Sequence, residues 1–575
     1  MVAANTFHTE PVGRGAGLDH ETRSLVLESL KEFGRRELPD DLLLHLDAED
    51  RFPEDLVRQL FGPEIGLHLL FLPEEVGGMD AGAVDICTVS EALAALDLGV
   101  ATSVLATALG TDPILVGATP FQRERWLTRI ADEGLLVAYG VTEPGAGSNV
   151  AAIRTRAEPT TLDGKPAYLL TGQKCFITNG SVADLYTILA KAPGGPSFFV
   201  VERGTPGFSP GRKEEKHGIR ASDTAELLLE DVVVPADHLV GGVEGQGLAQ
   251  AAKVFGYTRL MVAAFGLGAG VDAQRRAIAY ARERVQFDTT LVAKQGLTHK
   301  LILPHVARLQ AARAFVQEVA RRIDAGEEEV QVEGSIAKLF ATEAGCQAAD
   351  AAVQVHGGYG YVREYHVEKI RRDVRITTIY EGTSEINQEV AGRGRWRQLL
   401  IGKGKLYADL ATEMKALGDR APGVGAARLE ASALAMVALV QHARKARLGR
   451  QQHVIFELAR AVSALECAAA LSRKAARWKT HGGPLPETTP EGWPADLAAM
   501  ARLQAADAGG VVAGVVYGVL SGTATLSPEA AANLDGALHP GRMLAGWRGA
   551  VQDMDHLAAR LPTEDLLADP PLAVS

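Results

Sequence analysis

The sequence predicts a mainly helical protein of the α+β class, in which a central β domain separates helical domains. Apolar residues recur at helical spacing before residue 135, short strand-like runs follow between residues 137 and 243, and long Ala- and Leu-bearing segments return after residue 245. At roughly 100–200 residues per domain, the 575 residues correspond to about three to five domains. We expect four, with bounds at 1–136, 137–244, 245–398 and 399–575.

Composition and charge exclude several classes of protein. The chain is 47% hydrophobic and 23% charged, which is ordinary for a globular protein and excludes disorder for most of its length. With 59 Lys and Arg against 71 Asp and Glu, the formal net charge is −12, which argues against general nucleic-acid binding. The N-terminus lacks the apolar core of a signal peptide, which predicts a cytoplasmic location. Neither a disulfide framework nor a cysteine-based zinc site fits the spacing of Cys87, Cys175, Cys346 and Cys467.

The first domain is predicted to be helical from about residue 20 to residue 135. Its first helix is indicated by apolar residues at near-helical spacing, namely Leu25, Leu27, Leu30 and Phe33. Further apolar stretches follow at 54–60, 83–97 and 100–117.

The second domain is predicted to be a small antiparallel β barrel or sandwich. Its β-rich runs are short and are separated by Gly, Pro and Asn residues that favour turns. We expect strands within 135–142, 167–172, 174–180, 185–191, 197–204 and 225–235.

The remaining two domains are predicted to be helical. Long helices are expected at 247–282, 298–325 and 331–356, and the tail from 400 is also helical, with a Pro- and Gly-rich loop at 480–494. Residues 508–528 carry no charge, but their continuous apolar part is short for a membrane-spanning helix. Close helix packing through their glycines is favoured over a peripheral membrane contact.

A glycine-rich turn at residues 139–149, YGVTEPGAGSN, leaves a predicted strand. Gly145 and Gly147 leave backbone N–H groups approachable, and Thr142 and Ser148 supply hydroxyl groups. Such a turn suits an anionic or carbonyl-rich ligand, although an ordinary tight turn fits the pattern at least as well.

A second stretch, GQKCFITNG at 172–180, places two side chains of different chemistry at the same strand parity. Phe176 and Thr178 should therefore face the same side, where one could stack on a planar ring while the other bonds its edge. The pattern alone favours a core Phe with a surface Thr.

A third stretch, QVHGGYGY at 354–361, follows a predicted helix. Adjacent glycines at such a position are often only a helix cap, and His356 alone is more often a structural histidine than a ligand. A second His or a carboxylate at metal-ligand spacing is lacking, so we reject a metal site.

The fourth stretch is RRDVRITTIYEGTSE at 371–385. Glu381 lies in an apolar-flanked turn before a probable helix that Thr383 or Ser384 could cap. A carboxylate in apolar surroundings can act as a base, or it can simply complement the helix dipole.

Taken together, these stretches resemble the acyl-CoA dehydrogenase family. The matching motifs are TEPGAGSN, RTRAE, GQKCFITNG, KHGIRASDTAELLLEDVVVP, RERVQF, QVHGGYGY and RDVRITTIYEGTSEI, in order within residues 20–398. The resemblance implies an N-terminal helical domain, a middle β domain and a C-terminal four-helix domain, here followed by an additional helical tail domain.

The resemblance also implies a reaction and a cofactor. Family members bind FAD, remove the α-proton of an acyl-CoA thioester, pass the β-hydride to flavin N5 and release a trans-2-enoyl-CoA, usually with electron-transfer flavoprotein as the acceptor. Glu381, in IYEGTSEI, matches the catalytic base of the larger branch. The segment 255–260, where some relatives place the base, contains no carboxylate.

Binding residues carry over position by position. The positions that match contacts to FAD are Tyr139, Val141, Thr142, Gly147, Ser148, Phe176, Thr178, Arg284, Gln286, Phe287, Gln354, Gly357, Gly358, Thr383 and Glu385. Among these, the segments around 284–287 and 354–358 would contact FAD of a neighbouring subunit. The positions that match the acyl-CoA site are Ser148, Tyr257, Arg259, Tyr380 and Gly382.

Three positions depart from the family pattern. Phe176 stands where Trp is commoner, which keeps stacking but loses the indole N–H. Asp288 stands where Gly is usual, which puts the local loop in doubt. Glu385 stands where some relatives have Gln, which could weaken one polar contact.

The tail resembles the extension of the very-long-chain branch, which implies a homodimer with peripheral contact to the inner face of a membrane. Segment 102–110 resembles the helix at the bottom of the acyl pocket. There Ala106, Ala108 and Gly110 would leave room and Leu105 would restrict it, which favours medium-to-long acyl chains. Plain helix–helix packing explains the same small residues equally well.

Two other functions fit the sequence. One is an acyl-CoA oxidase-like flavoenzyme, because oxygen reactivity depends on access and electrostatics that a sequence does not display. The other is a non-catalytic assembly or scaffold protein that retains the fold. The departures at Phe176, Asp288 and Glu385 are compatible with such a scaffold protein, whereas Glu381 argues against it.

Overall fold

The computed structural model describes residues 15, 17–482, 485–486, 488–522, 541, 543 and 545–570, apart from the side chains of 255–257 and 521. The chain divides into two compact units, Met1–Phe265 with Ala320–Val330, and Gly266–Val319 with Gln331–Ser575. The fold is mainly helical with a curled β-sheet, which confirms the predicted fold class.

The first unit begins with six helices. The first of them is capped by Asp19, whose side chain accepts a hydrogen bond from the Thr22 amide at 2.7 Å. Leu30 and Phe33 lie in the core, whereas Leu25 is 62% exposed and does not belong to the buried face. The helices are α1 His20–Glu37, α2 Asp40–Ala48, α3 Glu54–Leu60, α4 Ala83–Leu96, α5 Leu98–Gly117 and α6 Pro120–Glu133.

Helix α5 is almost completely buried and packs against the first strand of the sheet. A Cβ atom on Gly110 would lie 2.8 Å from Val137 Cγ1 and 3.0 Å from the backbone of Ala138. The hydroxyl of Thr187 also donates to the Gly110 carbonyl at 2.9 Å. Gly110 therefore allows the helix to approach the strand closely, so the expectation that it leaves room for an acyl chain is wrong at this position.

A seven-stranded sheet follows in the same unit. Its path is β1-β4-β2-β3-β7-β6, with β5 paired to β4. Most pairs are antiparallel, as predicted, but β1 pairs with β4 in parallel, and β2 meets β4 in parallel at one position. The strands are β1 Val137–Gly140, β2 Arg156–Leu162, β3 Lys165–Thr178, β4 Leu185–Ala192, β5 Gly195–Glu202, β6 Phe208–Lys213 and β7 Thr224–Pro235.

In its described residues, the second unit is helical apart from a short hairpin of β8 Val285–Gln286 and β9 Thr289–Thr290. Its long helices approach each other at glycines: a Cβ on Gly266 would lie 2.7 Å from Thr342 Cα, and one on Gly270 would lie 2.8 Å from Gly345 Cα. The helices are α7 Gly247–Glu283, which begins in the first unit, α8 Gln295–Leu297, α9 Leu303–Asp324, whose end belongs to the first unit, α10 Gln331–His356, α11 His366–Val374 and α12 Ser384–Ile401.

The tail continues the second unit. A buried ionic cluster joins it to the preceding helices: Arg395 on α12 contacts Glu333 on α10 at 3.0 Å and Glu466 of the tail at 2.8 Å. Tyr407 donates to the same Glu466 at 2.8 Å. The tail helices are α13 Lys405–Arg420, α14 Ala426–Lys445, α15 Gln452–Thr480, α16 Trp493–Gly522 and α17 Ala550–Arg560.

Helix α16 contains most of the uncharged run 508–528, whose last six residues lie outside the described part of the chain. The expectation of close packing through its glycines holds only for Gly509, whose Cβ would lie 2.8 Å from the Met543 carbonyl. Among the described residues, a Cβ would meet nothing within 4 Å at Gly510, Gly514, Gly518 and Gly522, which are spaced by four residues and share a helix face. Within the described part of the chain, the close-packing prediction is therefore wrong for four of the five glycines.

Three described helices are long and apolar enough to cross a membrane by length and composition. They are Leu98–Gly117, Gly247–Glu283 and Trp493–Leu520. In their most apolar windows, the first is 89% buried within the protein and the third 67%.

Candidate active site

In the first unit, the glycine-rich turn lies directly after β1 and is open on one side. Gly145 and Gly147 each have no atom within 4 Å of a Cβ position. Glu143 and Ala146 close the turn by exchanging backbone hydrogen bonds of 3.2 and 3.0 Å. Val141 is buried, Tyr139 and Thr142 are half-buried, and Ser148 is exposed. The turn is thus a cradle with accessible backbone, as a bound anionic or carbonyl-rich group requires.

Strand β3 carries an irregularity that the sequence did not reveal. Its register against β7 shifts between Lys174 and Ile177, and Phe176 adopts a φ of 58°. This is a β-bulge, which redirects side chains locally. Phe176 is 65% exposed and Thr178 is half-buried, so the prediction of a core Phe is wrong.

The same bulge buries Lys174, which sequence analysis did not select. Lys174, Phe176 and Thr178 share a parity, so strict alternation would place all three on one face. In the structure Lys174 is 0% exposed and contacts the Glu143 carboxylate at 2.7 Å. The only signal in the sequence was a lysine directly before the apolar residues Cys175, Phe176 and Ile177 of the strand.

In the second unit, a pocket of about 590 Å³ gathers four residues predicted to contact a flavin nucleotide: Arg284, Gln286, Gly357 and Gly358. The Arg284 guanidinium lies 5.5 Å from the ring centroid of Tyr359, another lining residue. Gly357, with a φ of 61°, and Gly358 both have free space at the Cβ position. A cationic side chain beside accessible backbone suits a pyrophosphate.

Two further residues of the stretch 354–361, His356 and Gln354, lie at or next to this pocket. His356 lines the pocket, stacks on Tyr280 at 4.3 Å between ring centroids and bonds the Ala352 carbonyl through Nδ1 at 2.8 Å. Burial lowers the pKa of His356, so the ring is neutral at physiological pH and serves a structural role. Gln354 is exposed on the last turn of α10, one residue before the lining residue Val355.

The hairpin β8–β9 accounts for the departure at Asp288. Its two turn residues, Phe287 and Asp288, have φ values of 52° and 63°, as a type I′ turn requires. Glycine fits such a backbone best, and aspartate is one of the few other residues that tolerates it. The hairpin therefore forms without the usual glycine, and Phe287 at its tip is 90% exposed.

Glu381 lies in a strained turn immediately before α12. Its φ is 53°, that of Gly382 is 88°, and Thr383 caps the helix by accepting from the Ile386 amide at 3.3 Å. The Gly382 carbonyl accepts from Lys338 Nζ at 2.5 Å and from the Asn387 side chain at 2.8 Å. A residue other than glycine in the left-handed backbone conformation costs roughly 1 kcal/mol or more. Such residues are typical of functional positions.

The remaining predicted residues have the following positions. Tyr380 is half-buried and Glu385 is exposed in the first turn of α12. Arg259 is buried on α7, and the side chain of Tyr257 lies outside the described residues. Within residues 17–482 and the other described segments, three or more metal-ligating side chains do not come together.

Family models match the chain in three consecutive blocks. The acyl-CoA dehydrogenase N-terminal domain matches residues 20–134, the middle domain 138–232 and the C-terminal domain 245–395. Together these blocks cover more than half of the chain.

Individual proteins show the same similarity. Cyclohex-1-ene-1-carbonyl-CoA dehydrogenase of Geobacter metallireducens is 36% identical over 379 residues, which cover 65% of this chain and 97% of that protein. A chain in the structure described as the electron transferring flavoprotein of Acidaminococcus fermentans is 32% identical, with a TM-score of 0.61 over 65% of this chain and 97% of that chain. The acyl-CoA dehydrogenase of Bacillus anthracis complexed with FAD is 24% identical. It has a TM-score of 0.82 over 94% of this chain and 95% of that chain, so the similarity in fold includes the tail of this chain.

Proposed function

The chain belongs to the acyl-CoA dehydrogenase family of FAD-dependent oxidoreductases that act on CH–CH bonds, and we propose that Glu381 is its catalytic base. The reaction would convert an acyl-CoA thioester into its trans-2-enoyl-CoA. The observation that carries this proposal is the left-handed turn at Glu381, whose backbone is held by Lys338 and Asn387.

The residues present fit FAD. The cradle after β1 leaves free space at Gly145 and Gly147, and the pocket of about 590 Å³ places Arg284 beside Gly357 and Gly358. We propose that the cradle, with Phe176 and Thr178, holds the ring half of FAD and that the pocket holds an adenine-diphosphate half. When bound, FAD supplies the acceptor for the β-hydride.

Glu381 would take the α-proton on one of its carboxylate oxygens while the Cα–H bond breaks. An α-proton is only weakly acidic, so the negative charge that develops on the thioester carbonyl oxygen needs hydrogen-bond donors. The amide of Glu381 and the N-terminus of α12 supply donors and a positive dipole end in the same short segment. Bound substrate would exclude water and bring the acid strengths of the α-carbon and the carboxyl group closer.

The test of this role is Glu381→Gln in the FAD-loaded protein. We expect the rate of flavin reduction by acyl-CoA to fall by about 10³-fold, because glutamine is isosteric but cannot accept the proton. Anaerobic stopped-flow absorbance measures this rate. The control is Glu389→Gln, which lies on α12 outside the proposed site and should retain the wild-type rate. If Glu381→Gln also reduced its flavin at the wild-type rate, Glu381 would be excluded as the base.

We propose that an acyl-CoA thioester is the substrate and that electron-transfer flavoprotein is the acceptor. The first part is supported by the named relatives, and the second by the similarity to a chain in an electron transferring flavoprotein structure. Anaerobic titration with acyl-CoAs of graded length, including cyclic ones, would identify the acyl class by bleaching of the flavin. Reoxidation that is fast with O₂ and undetectable with electron-transfer flavoprotein would instead make the protein an oxidase.

Assembly and location are further proposals. We propose a cytoplasmic homodimer, because the pocket around Arg284 corresponds to a segment expected to contact a neighbouring subunit's FAD. We also propose peripheral contact with a membrane through the exposed face of α16. Light scattering that gives the mass of one chain would contradict the dimer, and failure to float with anionic vesicles would contradict the membrane contact.

A further inference from the structure

Lys174 is the most completely enclosed charged group beside the cradle. Its side chain is 0% exposed, and its Nζ atom donates to the Glu143 carboxylate at 2.7 Å, the Leu189 carbonyl at 2.7 Å and the Val141 carbonyl at 3.2 Å. Val141 begins the cradle, and Leu189 follows the last residue of β4 that pairs with β1. One ammonium group therefore fixes the point where β1 leaves the sheet and the cradle starts.

The carboxylate partner extends this arrangement to the next segment of chain. Glu143 accepts hydrogen bonds from the backbone amides of Arg154 at 2.6 Å and Thr155 at 3.0 Å. Thr155 in turn accepts from the Lys191 amide on β4 at 2.8 Å. The ion pair thus connects the cradle with two neighbouring backbone segments rather than with surface side chains.

Both members of the pair are charged at neutral pH. Burial lowers the pKa of Lys174 to about 8, with Glu143 opposing the shift. Burial would raise the pKa of Glu143, but hydrogen bonds from Lys174, Thr155 and Arg154 outweigh it and hold the pKa below its usual value. The Val141 carbonyl therefore faces a positive charge in a medium of low dielectric constant, where its effect is strong.

The direction of that carbonyl determines the direction of the next amide. In a planar trans peptide the C=O and N–H bonds point in opposite directions, so the Thr142 N–H points away from Lys174. The Thr142 carbonyl is also held, since it accepts from the Cys175 amide at 3.0 Å. Within the described part of the chain, we find no hydrogen bond donated by the Thr142 N–H.

We propose that Lys174 is a positioning residue, which holds the Val141–Thr142 peptide so that the Thr142 N–H is directed at the FAD in the cradle. The positive charge of Lys174 next to the Val141 carbonyl polarises the peptide. This makes the Thr142 N–H a stronger hydrogen-bond donor. Glu143 keeps the lysine charged and aligned. The inference rests on the proposed flavin site and assigns a role to a residue that touches neither substrate nor cofactor.

A purely structural role predicts a different outcome. In that case Lys174 would only fill the space between β1, β3 and β4, and a neutral pair of similar volume would preserve the flavin's properties. Replacing a buried ion pair by neutral residues is often neutral for stability, whereas removing one partner is not. The double variant Lys174→Met with Glu143→Gln therefore separates the two roles in a protein that is expected to fold.

The experiment compares wild type, Lys174→Met, the double variant and the control Lys191→Met, all loaded with FAD. Lys191 is an exposed lysine on β4. We measure the affinity for FAD, the visible absorption spectrum of the bound flavin and its midpoint potential. We expect the double variant to bind FAD about tenfold more weakly, with a shifted absorption band and a lower potential, because one strong donor is lost. Lys191→Met should match wild type.

The results distinguish this inference from the proposed function. A double variant that folds with wild-type spectrum, potential and FAD affinity would overturn the role of Lys174 and leave the proposed function intact. Wild type that binds no FAD would overturn the proposed function itself. If Lys174→Met alone does not fold, the double variant still decides the question.

Discussion

The turns at residues 141–148 and 380–384, one in each unit, are both held through a backbone carbonyl by a fully buried lysine. Lys174 bonds the Val141 carbonyl, and Lys338 bonds the Gly382 carbonyl. Both lysines are 0% exposed. The turns differ in what they present: the first offers backbone beside free space at its glycines, and the second offers the side chain of Glu381.

This difference explains where each turn carries strain. A turn that presents backbone uses residues without a Cβ at its open positions, so Gly145 and Gly147 leave the cradle unobstructed. A turn that presents a carboxylate must keep a side chain, so Glu381 adopts a left-handed backbone with a φ of 53°. The two lysines are therefore expected to affect different measurements, which are flavin properties for Lys174 and the rate of proton removal for Lys338.

The largest effect is expected at a charged cluster outside both turns. Arg395 is 4% exposed and pairs with Glu333 and Glu466, whose charges strongly raise its pKa against the effect of burial. Arg395→Met should lower the free energy of unfolding by about 3–5 kcal/mol, because two carboxylates lose the cation that neutralises them. Urea denaturation measures the loss.

The spectrum of bound flavin in folded Arg395→Met should remain that of wild type. Arg393→Met, which removes an exposed pair with Glu389 on the same helix, should change stability by no more than about 1 kcal/mol. An altered flavin spectrum in Arg395→Met would show that buried charges influence the flavin regardless of place, and would remove the distinction drawn between the two turns.

The second prediction concerns Lys338. Lys338→Met should slow flavin reduction by about 10²-fold, because the turn that positions Glu381 loses one of the two side chains that hold the Gly382 carbonyl. The absorption spectrum of the oxidised flavin should stay unchanged, in contrast to Lys174→Met. Stopped-flow reduction over a range of pH measures the effect, and Lys405→Met, an exposed change on α13, is the control. A spectral shift equal to that of Lys174→Met would mean that the two lysines do not act separately.

The smallest effect is expected at the β8–β9 hairpin. Asp288→Gly should raise the free energy of unfolding by about 0.5 kcal/mol, since glycine accepts the φ of 63° without strain but gains entropy in the unfolded chain. The matched control is Gly164→Asp, in the Asp163–Gly164 turn between β2 and β3, which should destabilise the protein. Thermal denaturation measures both changes, and equal signs would contradict the explanation given for Asp288.

The order of helical and strand-rich regions was predictable because apolar periodicity is a property of the sequence itself. Strand β2 was not predicted, although Asp163–Gly164 before Lys165 is a recognisable hairpin turn.

The burial of Lys174 could not be predicted from the alternation of residues along the strand, because the bulge at Phe176 changes which face each residue occupies. The glycine spacing in α16 was visible, but whether a neighbour covers it depends on tertiary packing. The residue roles in catalysis and binding stay predictions.

The two kinds of helical glycine in this protein offer opposite prospects to protein engineering. Replacing helical glycine by alanine is a common route to heat tolerance, worth up to about 1 kcal/mol at an exposed site. At Gly270, where α7 meets α10, the added methyl group would collide with backbone, so even the smallest side chain is excluded. Along α16, Gly510, Gly514 and Gly518 have room for it. A more heat-tolerant enzyme could therefore be built from the tail, leaving the proposed chemistry untouched.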